Sequence, residues 1–238
     1  MKCVLHIPIC LDENRTDSRR VYELSCLELQ LRRMSAPGFH STKPLELDIY
    51  VSVNGDIPPN YLMELEDIER DNNITVFHRD NIGFQWGGFY DVWQRTKGQY
   101  DWYVTLEVDC VFLEHWFDKC SSTANNGYVG APPLKRRHRL DYPKDWKLSK
   151  NQWHTNGAFD FCSNDLLKKI DKEFGCFTHA TGSNHALDGI LHGEIGFSQK
   201  VKNFTALKVV DAYNRVEYLN GVKGANTKTM HNSYWEKK

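Results

Sequence analysis

The stretch WYVTLEVDC, residues 102–110, joins an apolar run to two carboxylates that lie two positions apart. Residues 102–106 have the composition of a buried β-strand, and Glu107 and Asp109 follow directly. A turn at the end of such a strand can present both carboxylates to one divalent cation, and Mg²⁺ and Mn²⁺ prefer oxygen ligands. The stretch therefore predicts a strand that ends at a metal site; an acidic strand end without a metal is the alternative.

The sequence before this stretch alternates between the periodicities of strands and helices. The predicted strands are residues 2–9, 46–53, 74–77 and 102–106, and the predicted helices begin near Asp17 or Ser18, at Pro58 and Pro59, and near Phe89. This order predicts an α/β fold with a mostly parallel central sheet flanked by helices. Ligands of such sheets bind beyond the carboxyl ends of the strands, where Glu107 and Asp109 are expected.

The second half of the chain is less regular. Residues 131–153 carry Pro, Lys, Arg and Trp without periodicity, which predicts a long loop. A strand is predicted over residues 158–162, followed by a helix that Ser163 caps and Gly175 ends. The length of 238 residues fits one domain over residues 1–238, or a domain with a C-terminal extension.

Composition and charge argue against several classes of protein. The formal net charge is −1, so the chain has no excess of positive charge to attract nucleic acid or an anionic membrane. The 7 cysteines are odd in number and form no C-x-x-C pair, which predicts small buried residues in a reducing compartment. No apolar run approaches the roughly 18 residues of a membrane span, and no signal peptide is recognisable. We therefore expect a cytoplasmic protein without a membrane span.

A second polar stretch, RDNIGFQWGG at residues 79–88, follows the third predicted strand. Its glycines permit left-handed backbone conformations and let a ligand approach the backbone. The N–H groups of this loop and of the next helix can hold a phosphate or sugar hydroxyls, and Arg79 can pair with a phosphate through two hydrogen bonds. The alternative is an ordinary turn between a strand and a helix, with Trp86 packed beneath it.

The two stretches together resemble a known family. The pattern N-x-G-x-x-x-G-G of residues 81–88, upstream of a strand that ends in E-x-D at residues 107–109, resembles the GT-A glycosyltransferases, especially the small polysaccharide-building enzymes of the family 2 type. The resemblance implies a single GT-A-like, Rossmann-like domain. In that family the carboxylates of a D-x-D motif bind Mn²⁺ or Mg²⁺, which bridges the donor diphosphate. Glu107 and Asp109 match the first and third positions, and the glutamate departs from the commonest form.

The resemblance also assigns the two halves of the chain. Residues 1–110 correspond to the half that binds the nucleotide sugar, and residues 111–238 correspond to the acceptor-binding half with a C-terminal tail. In the first half, the residues expected to contact the donor are Ile7, Pro8, Asn54, Arg79, Asn81, Gln85, Trp86, Glu107 and Asp109.

The segment HTNGAF, residues 154–159, extends the resemblance into the second half. It resembles the family segment that closes the acceptor site and runs into a helix. Asn156 and Gly157 are therefore expected to contact the acceptor. Trp153, immediately before the segment, can stack on the face of a sugar.

Two further segments resemble catalytic and metal-binding elements of the family. HALDG, residues 185–189, resembles the element whose last acidic residue is the catalytic base of inverting members. Asp188 is accordingly the candidate base, and Glu194 and Asp211 are its rivals. His231 resembles the C-terminal histidine that completes the metal site in many members.

The resemblance implies an enzyme that transfers a hexosyl or pentosyl group from a nucleotide-diphosphate sugar to a carbohydrate hydroxyl, in polysaccharide or glycan biosynthesis. A UDP-sugar is the favoured donor and a GDP-sugar the second choice. Inverting chemistry is favoured over retaining chemistry.

Two other classes of protein stay open. A sugar nucleotidyltransferase also combines a parallel sheet with a metal, but it usually carries a glycine-rich, basic loop after its first strand. This sequence has ICLDENR there, residues 9–15, without a glycine. A non-catalytic, carbohydrate-binding relative would bind a sugar without turning over a donor.

Overall fold

The computed structural model describes residues 1–132, 154–177 and 193–216. Its strands are β1 Lys2–Ile9, β2 Glu46–Asn54, β3 Thr75–Arg79, β4 Trp102–Leu106, β5 Cys110–Phe112, β6 Tyr128–Ala131, β7 Asn156–Ser163 and β8 Tyr213–Arg215. Its helices are α1 Asp17–Met34, α2 Pro59–Asn72, α3 Phe84–Thr96, α4 Trp116–Thr123, α5 Asn164–Phe174 and α6 Gly196–Lys202. Strands and helices alternate up to β4, as the sequence predicts.

Six strands form one sheet in the order β3-β2-β1-β4-β7-β6. The strands β3, β2, β1 and β4 run parallel, whereas β7 is antiparallel to both of its neighbours. The predicted α/β fold with a mostly parallel sheet is therefore confirmed. The chain leaves β1 through β2 and β3 and returns to β4 on the other side of β1. The carboxyl ends of β1 and β4 consequently meet at a topological switch point, where such sheets bind their ligands.

Two apolar clusters cover the two faces of the sheet. Residues of α1, α2 and α4 belong to one cluster, and residues of α3, α5 and α6 belong to the other. Val104 of β4 lies in the first cluster and Tyr103 lies in the second, because successive side chains of a strand point to opposite faces. Burial of β4 on both faces accounts for the continuous apolar run that precedes Glu107.

The ends of the helices largely follow the predicted caps. The Ser163 hydroxyl accepts a hydrogen bond from the N–H of Leu166 at 3.3 Å, which caps α5 as predicted. The predicted cap of α1 was wrong by one or two residues. Thr16 takes that position, because its hydroxyl accepts a hydrogen bond from the N–H of Arg19 at 3.4 Å.

The start of α3 corrects the sequence interpretation. The helix begins at Phe84 and not near Phe89, so Gln85 and Trp86 lie in its first turn and not in a loop. Gly83 precedes the helix with φ of 73°, a left-handed conformation that glycine adopts without strain.

Close packing explains why a helix carries glycine at position 88. A Cβ atom on Gly88 would lie 2.5 Å from the hydroxyl oxygen of Ser52 and 2.8 Å from Nε2 of His6. The buried His6 ring bridges Ser52 at 2.8 Å and Thr105 at 2.9 Å, so this layer has no room to move aside. Gly88 therefore allows α3 to pack closely against the sheet. Its role is in packing and not in holding a ligand with a loop backbone.

The cysteines agree with the prediction of buried thiols. All seven are free, and only Cys10 and Cys176 are partly exposed. Across residues 1–132, 154–177 and 193–216, no helix is both long enough and apolar enough to cross a bilayer.

Candidate functional site

A cleft of about 390 Å³ opens at the carboxyl ends of β1, β2 and β4. The connection from β1 to α1, the start of α3, the turn after β4 and two later segments form its walls. The residues that line it are Pro8, Ile9, Cys10, Arg15, Arg19, Glu23, Asn54, Asn81, Phe84, Gln85, Trp86, Glu107, Val108, Asp109, Glu194 and Arg215. The cleft lies where a parallel sheet of this order places a ligand.

The turn after β4 carries Glu107 and Asp109 and is fastened by Gln30 of α1. The buried amide of Gln30 donates to the carbonyl oxygens of Glu107 at 3.0 Å and Val108 at 2.8 Å, and it also contacts the carbonyl of Cys110. A buried carbonyl left without a partner would cost about 1–3 kcal/mol, so the amide fixes the backbone of the turn. Sequence reasoning missed Gln30, because the contact joins residues 77 positions apart.

A guanidinium group bridges the two carboxylates. Antiparallel pairing of β8 with β5 places Arg215 opposite Cys110. Nη1 of Arg215 lies 3.0 and 2.9 Å from the two carboxylate oxygens of Asp109, and Nη2 lies 3.1 Å from Oε2 of Glu107. The Arg215 side chain is 18% exposed, which places these ion pairs partly out of water. Sequence reasoning missed Arg215 as well, since a short ribbon far along the chain delivers it.

The carboxylate pair has the donor chemistry of a divalent-metal site. One ligand atom each from Glu107, Asp109 and Cys110 lies within 4.8 Å of the others. The carboxylate oxygens are ligands that Mg²⁺ and Mn²⁺ prefer. Burial raises the pKa of the Cys110 thiol well above its ordinary value, and sulfur is not a ligand that Mg²⁺ or Mn²⁺ prefers. The two carboxylates therefore fit the metal, and the oxygens it would use are those that Arg215 contacts.

The carboxylates that line the cleft repel one another at Glu107. Burial of the carboxylate raises the pKa of Glu107 to about 7, and the charges of Asp109 and Glu194 act in the same direction against Arg215. A metal ion bound beside Glu107 would relieve this repulsion.

The connection from β1 to α1 contains no glycine and is held in place by α1. The guanidinium of Arg20 donates to three carbonyl oxygens of the connection, that of Asp12 at 2.8 Å among them. The buried Glu23 carboxylate accepts a hydrogen bond from the N–H of Cys10 at 2.6 Å and pairs with Arg19 at 2.9 Å. Side chains of the first helix thus fix one wall of the cleft.

Arg79 is engaged inside the protein, which argues against the predicted contact with a phosphate. Its Nε donates to Asp91 at 2.7 Å, its Nη1 to Oδ1 of Asn54 at 2.6 Å and its Nη2 to the carbonyl of Ile82 at 2.7 Å. The side chain is 11% exposed and is not among the residues that line the cleft. Arg79 orients Asn54 instead, and the Asn54 amide donates to the carbonyl of Ile9 at 3.0 Å.

Gln85 and Trp86 connect the start of α3 to the second half of the chain. The Gln85 amide donates to the carbonyl of Gly157 at 2.8 Å. The Trp86 ring lies between Gly157 and Gly193, where added Cβ atoms would approach ring carbons to 2.7 and 2.2 Å. Its indole N–H donates to Oδ2 of Asp160 at 3.3 Å. Trp86 is therefore mostly packed, although its edge lines the cleft.

Asp160 of β7 is a buried carboxyl group with neutral partners. The hydroxyl of Tyr128 donates to Oδ1 at 2.5 Å, and the indole of Trp86 contacts Oδ2. Tyr128 is also hydrogen-bonded to Thr155 at 2.7 Å. Burial raises the pKa of Asp160 to about 7, and the nearby charge of Glu194 acts in the same direction.

The structure separates the two rivals for the catalytic base. Glu194 lines the cleft, is 13% exposed, and lies 3.3 Å from Nε2 of His154 through its Oε1. Asp211 is exposed and is not among the residues that line the cleft. Glu194 is thus the described rival that stands near the carboxylate pair.

Most of the predicted donor contacts meet in the cleft. Those that line it are Pro8, Asn54, Asn81, Gln85, Trp86, Glu107 and Asp109. Ile7 is fully buried in the core and does not line it, because its side chain packs into the apolar layer under the sheet. Asn156 begins β7. The predicted residues Trp153, Asp188 and His231 lie outside the described residues.

Comparison with known proteins identifies the fold. No protein-family description and no curated protein matches the sequence. Among solved structures, residues 1–349 of TarS from S. aureus align with a TM-score of 0.52 and 12% identity, over 91% of this chain and 61% of that chain. The 4-diphosphocytidyl-2C-methyl-D-erythritol synthase of Anaerococcus prevotii aligns with a TM-score of 0.50 and 12% identity, over 89% of each chain.

These similarities show that the chain has the GT-A fold, which confirms the predicted fold class. The chain spans 61% of the shorter TarS structure and 36% of a longer one. Because proteins with two different activities align about equally well, the fold does not choose between those activities.

Proposed function

We propose that this protein is a divalent-metal-dependent glycosyltransferase that moves a hexosyl or pentosyl group from a nucleotide-diphosphate sugar to a carbohydrate hydroxyl, with inversion. One observation carries the proposal: Glu107 and Asp109 lie together in a cleft at the switch point of a GT-A fold. A UDP-sugar is the favoured donor and a GDP-sugar the second choice. TarS, which shares the fold at a TM-score of 0.52, was solved with UDP-GlcNAc, and this supports the first. The proposed role is in polysaccharide or glycan biosynthesis.

The cleft offers separate surfaces to the parts of such a donor. The nucleoside is assigned to Pro8 and Asn54, which line the cleft near the ends of β1 and β2. Glu107 and Asp109 would hold Mn²⁺ or Mg²⁺, with His231 as the proposed further ligand. The bound metal supplies positive charge that stabilises the departing diphosphate.

The transfer itself needs a proton acceptor. The acceptor hydroxyl oxygen bonds to the anomeric carbon as the bond from that carbon to the diphosphate oxygen breaks, and the electron pair leaves with the diphosphate. The hydroxyl proton passes to a carboxylate. Asp188 is the proposed acceptor of this proton. Glu194 competes for the role, because it lines the cleft and its contact with His154 holds the carboxylate in place.

The first connection disfavours the nucleotidyltransferase alternative. A glycine-rich loop would offer its N–H groups to a triphosphate. Here the N–H groups of Cys10, Glu13, Asn14 and Arg15 already donate to protein oxygens at 2.6–2.9 Å. These four donors are therefore engaged, and the glycosyltransferase interpretation fits this wall of the cleft better.

A donor screen tests the proposal. UDP- and GDP-sugars are incubated with glycan acceptors and Mn²⁺, and nucleoside diphosphate and product mass are measured. We expect release with one donor and loss of release in Asp109→Ala, whereas Glu114→Gln, which alters an exposed carboxylate outside the cleft, keeps it. Pyrophosphate release from a nucleoside triphosphate and a sugar 1-phosphate would instead establish the nucleotidyltransferase. Sugar binding without release would establish the non-catalytic relative.

A further inference from the structure

Arg215 contacts three of the four oxygens of the carboxylate pair. Nη1 lies within 3.0 Å of both oxygens of Asp109, and Nη2 lies 3.1 Å from Oε2 of Glu107. The planar fork of a guanidinium suits such bridging, which a point charge cannot reproduce. The free protein thus already holds a cation on these carboxylates.

A divalent metal and this guanidinium compete for the same atoms. Mg²⁺ demands carboxylate oxygens at about 2.0–2.1 Å, and a guanidinium bonded to those oxygens both blocks the approach and repels the ion. A metal that uses these three oxygens is therefore opposed by Arg215 as long as the guanidinium stays on the pair. The guanidinium can leave the pair by rotation of its own side chain, because that side chain lines the cleft and is 18% exposed.

We propose that Arg215 is the resident cation of the carboxylate pair and must be displaced before a divalent metal binds. The second part of the inference rests on the proposed function: the displaced guanidinium pairs with the donor diphosphate, whose oxygens suit the guanidinium fork as its carboxylate partners do. Metal and nucleotide then bind cooperatively, because each relieves a cost of the other. Metal alone binds weakly.

The first arm of the test measures Mn²⁺ alone, without nucleotide. Mn²⁺ affinity is determined by the spin-resonance signal of the free ion for the unmodified protein, Arg215→Ala and Arg15→Ala. Both variants remove one positive charge from the cleft lining, but only the first frees the carboxylate pair. We expect Arg215→Ala to bind Mn²⁺ at least tenfold more tightly, and Arg15→Ala to change the affinity by less than threefold. Equal affinities for the two variants would overturn the inference.

Two further variants test whether the gained Mn²⁺ binding comes from the freed carboxylate pair. Arg215→Lys retains the charge but cannot bridge both carboxylates, so its Mn²⁺ affinity should lie between those of the unmodified protein and Arg215→Ala. This variant carries the test if the alanine variant does not fold. Asp109→Asn combined with Arg215→Ala should abolish the gained Mn²⁺ binding, and retention of that binding would place the ion elsewhere and overturn the inference.

The second arm repeats the titrations with UDP and with GDP. We expect the nucleotide to raise the Mn²⁺ affinity of the unmodified protein at least tenfold more than that of Arg215→Ala, because only the former has a guanidinium to transfer. Equal increases in the two proteins would overturn the transfer to the diphosphate. Failure of both nucleotides to bind would remove the proposed function but leave the Mn²⁺ competition of the first arm standing.

Discussion

Two neighbouring strands of the sheet carry carboxyl groups in opposite surroundings. Glu107 and Asp109 follow β4, face the cleft and contact the guanidinium of Arg215. Asp160 lies on the adjacent β7, opposite Thr105, and its hydrogen-bond partners are a phenol and an indole. The Glu107 and Asp109 carboxylates thus have a cation beside them and open space in front of them. The Asp160 carboxyl group is buried and accepts hydrogen bonds from neutral donors.

The difference separates the effect of burial on the pKa of a carboxyl group from the effect of a neighbouring carboxylate in a cleft. Burial raises the pKa of both Glu107 and Asp160 to about 7, so each carboxyl group is costly to ionise. At Asp160 a proton can remove that cost, because the Tyr128 hydroxyl can turn to accept from the carboxyl group and donate to Thr155. In the cleft, the second carboxylate of Asp109 adds negative charge, so a bound cation stabilises the pair better than a single proton does. Such a pair suits a metal ion or an arginine that binds diphosphate.

The largest expected effect is a loss of kcat, and it should occur at one of the two carboxylates proposed to accept the proton and not at the buried Asp160. Asp188→Asn and Glu194→Gln are compared by kcat for donor turnover, with Asp160→Asn as the control outside the cleft. The variant that removes the base should lose about 10²–10⁴-fold in kcat while nucleotide affinity is kept, because general base catalysis contributes that much. The other variant should stay within about tenfold of the unmodified protein.

Equal retention of turnover in both cleft variants would contradict the inverting mechanism and favour a retaining one, which needs no strong base. A comparable loss in Asp160→Asn would break the distinction between the two acidic locations.

The second prediction concerns stability against pH at Asp160. The folded state raises this pKa from 3.8 to about 7, so the stabilising contribution of the protonated group is complete below pH 4 and is lost as pH rises to 7. At about 1.4 kcal/mol per pKa unit, the loss is on the order of 4 kcal/mol. Asp160→Asn removes the titrating group and with it this dependence of stability on pH. Urea unfolding at pH 5 and pH 8 should show the variant gaining stability relative to the unmodified protein as pH rises.

The asparagine can keep the hydrogen bonds of the site. Its carbonyl would accept from Trp86, and its amide would donate to the hydroxyl of Tyr128, which then donates to Thr155. A difference in stability that does not change with pH would show that Asp160 is ionised throughout, and the contrast with the cleft pair would fail.

A smaller effect tests how the turn of the cleft pair is held. Gln30→Leu removes the amide that donates to the carbonyls of Glu107 and Val108 and should cost about 1–3 kcal/mol of unfolding free energy. It should also weaken nucleotide binding, measured by calorimetry, because the carboxylates lose their support. Gln94→Leu, which breaks contacts with Tyr90 away from the cleft, is the control that should leave nucleotide affinity unchanged. Unchanged nucleotide affinity in Gln30→Leu would show that the turn after β4 keeps its conformation without the Gln30 amide.

Local patterns in the sequence predicted the elements that depend on neighbouring residues. The alternation of apolar runs gave the order of β1 to β4, and Ser163 marked the start of α5 because a cap needs only the next three residues. The acidic end of β4 was visible for the same reason. A strand buried on both faces followed by Glu107 and Asp109 is a local signal.

Long-range contacts were beyond such patterns. Gln30 and Arg215 reach the acidic turn across 77 and 106 residues, and nothing adjacent to them in sequence points to that turn. Gly88 suggested a loop, because a glycine that lets backbones approach and a glycine that lets a loop turn look the same. The internal contacts of Arg79 were hidden in the same way, since its partners Asp91 and Asn54 became neighbours only in the folded chain.

Calorimetric titration of UDP and GDP asks whether Glu107 and Asp109 form a metal-dependent donor site. Each nucleotide is titrated with Mn²⁺ and then with EDTA, into the unmodified protein and into Asp109→Ala. We expect one nucleotide to bind in a way that depends on Mn²⁺ and is lost in the variant, and that nucleotide identifies the base of the donor. Absence of binding for both nucleotides under every metal condition would contradict the assignment of Glu107 and Asp109 as a donor site.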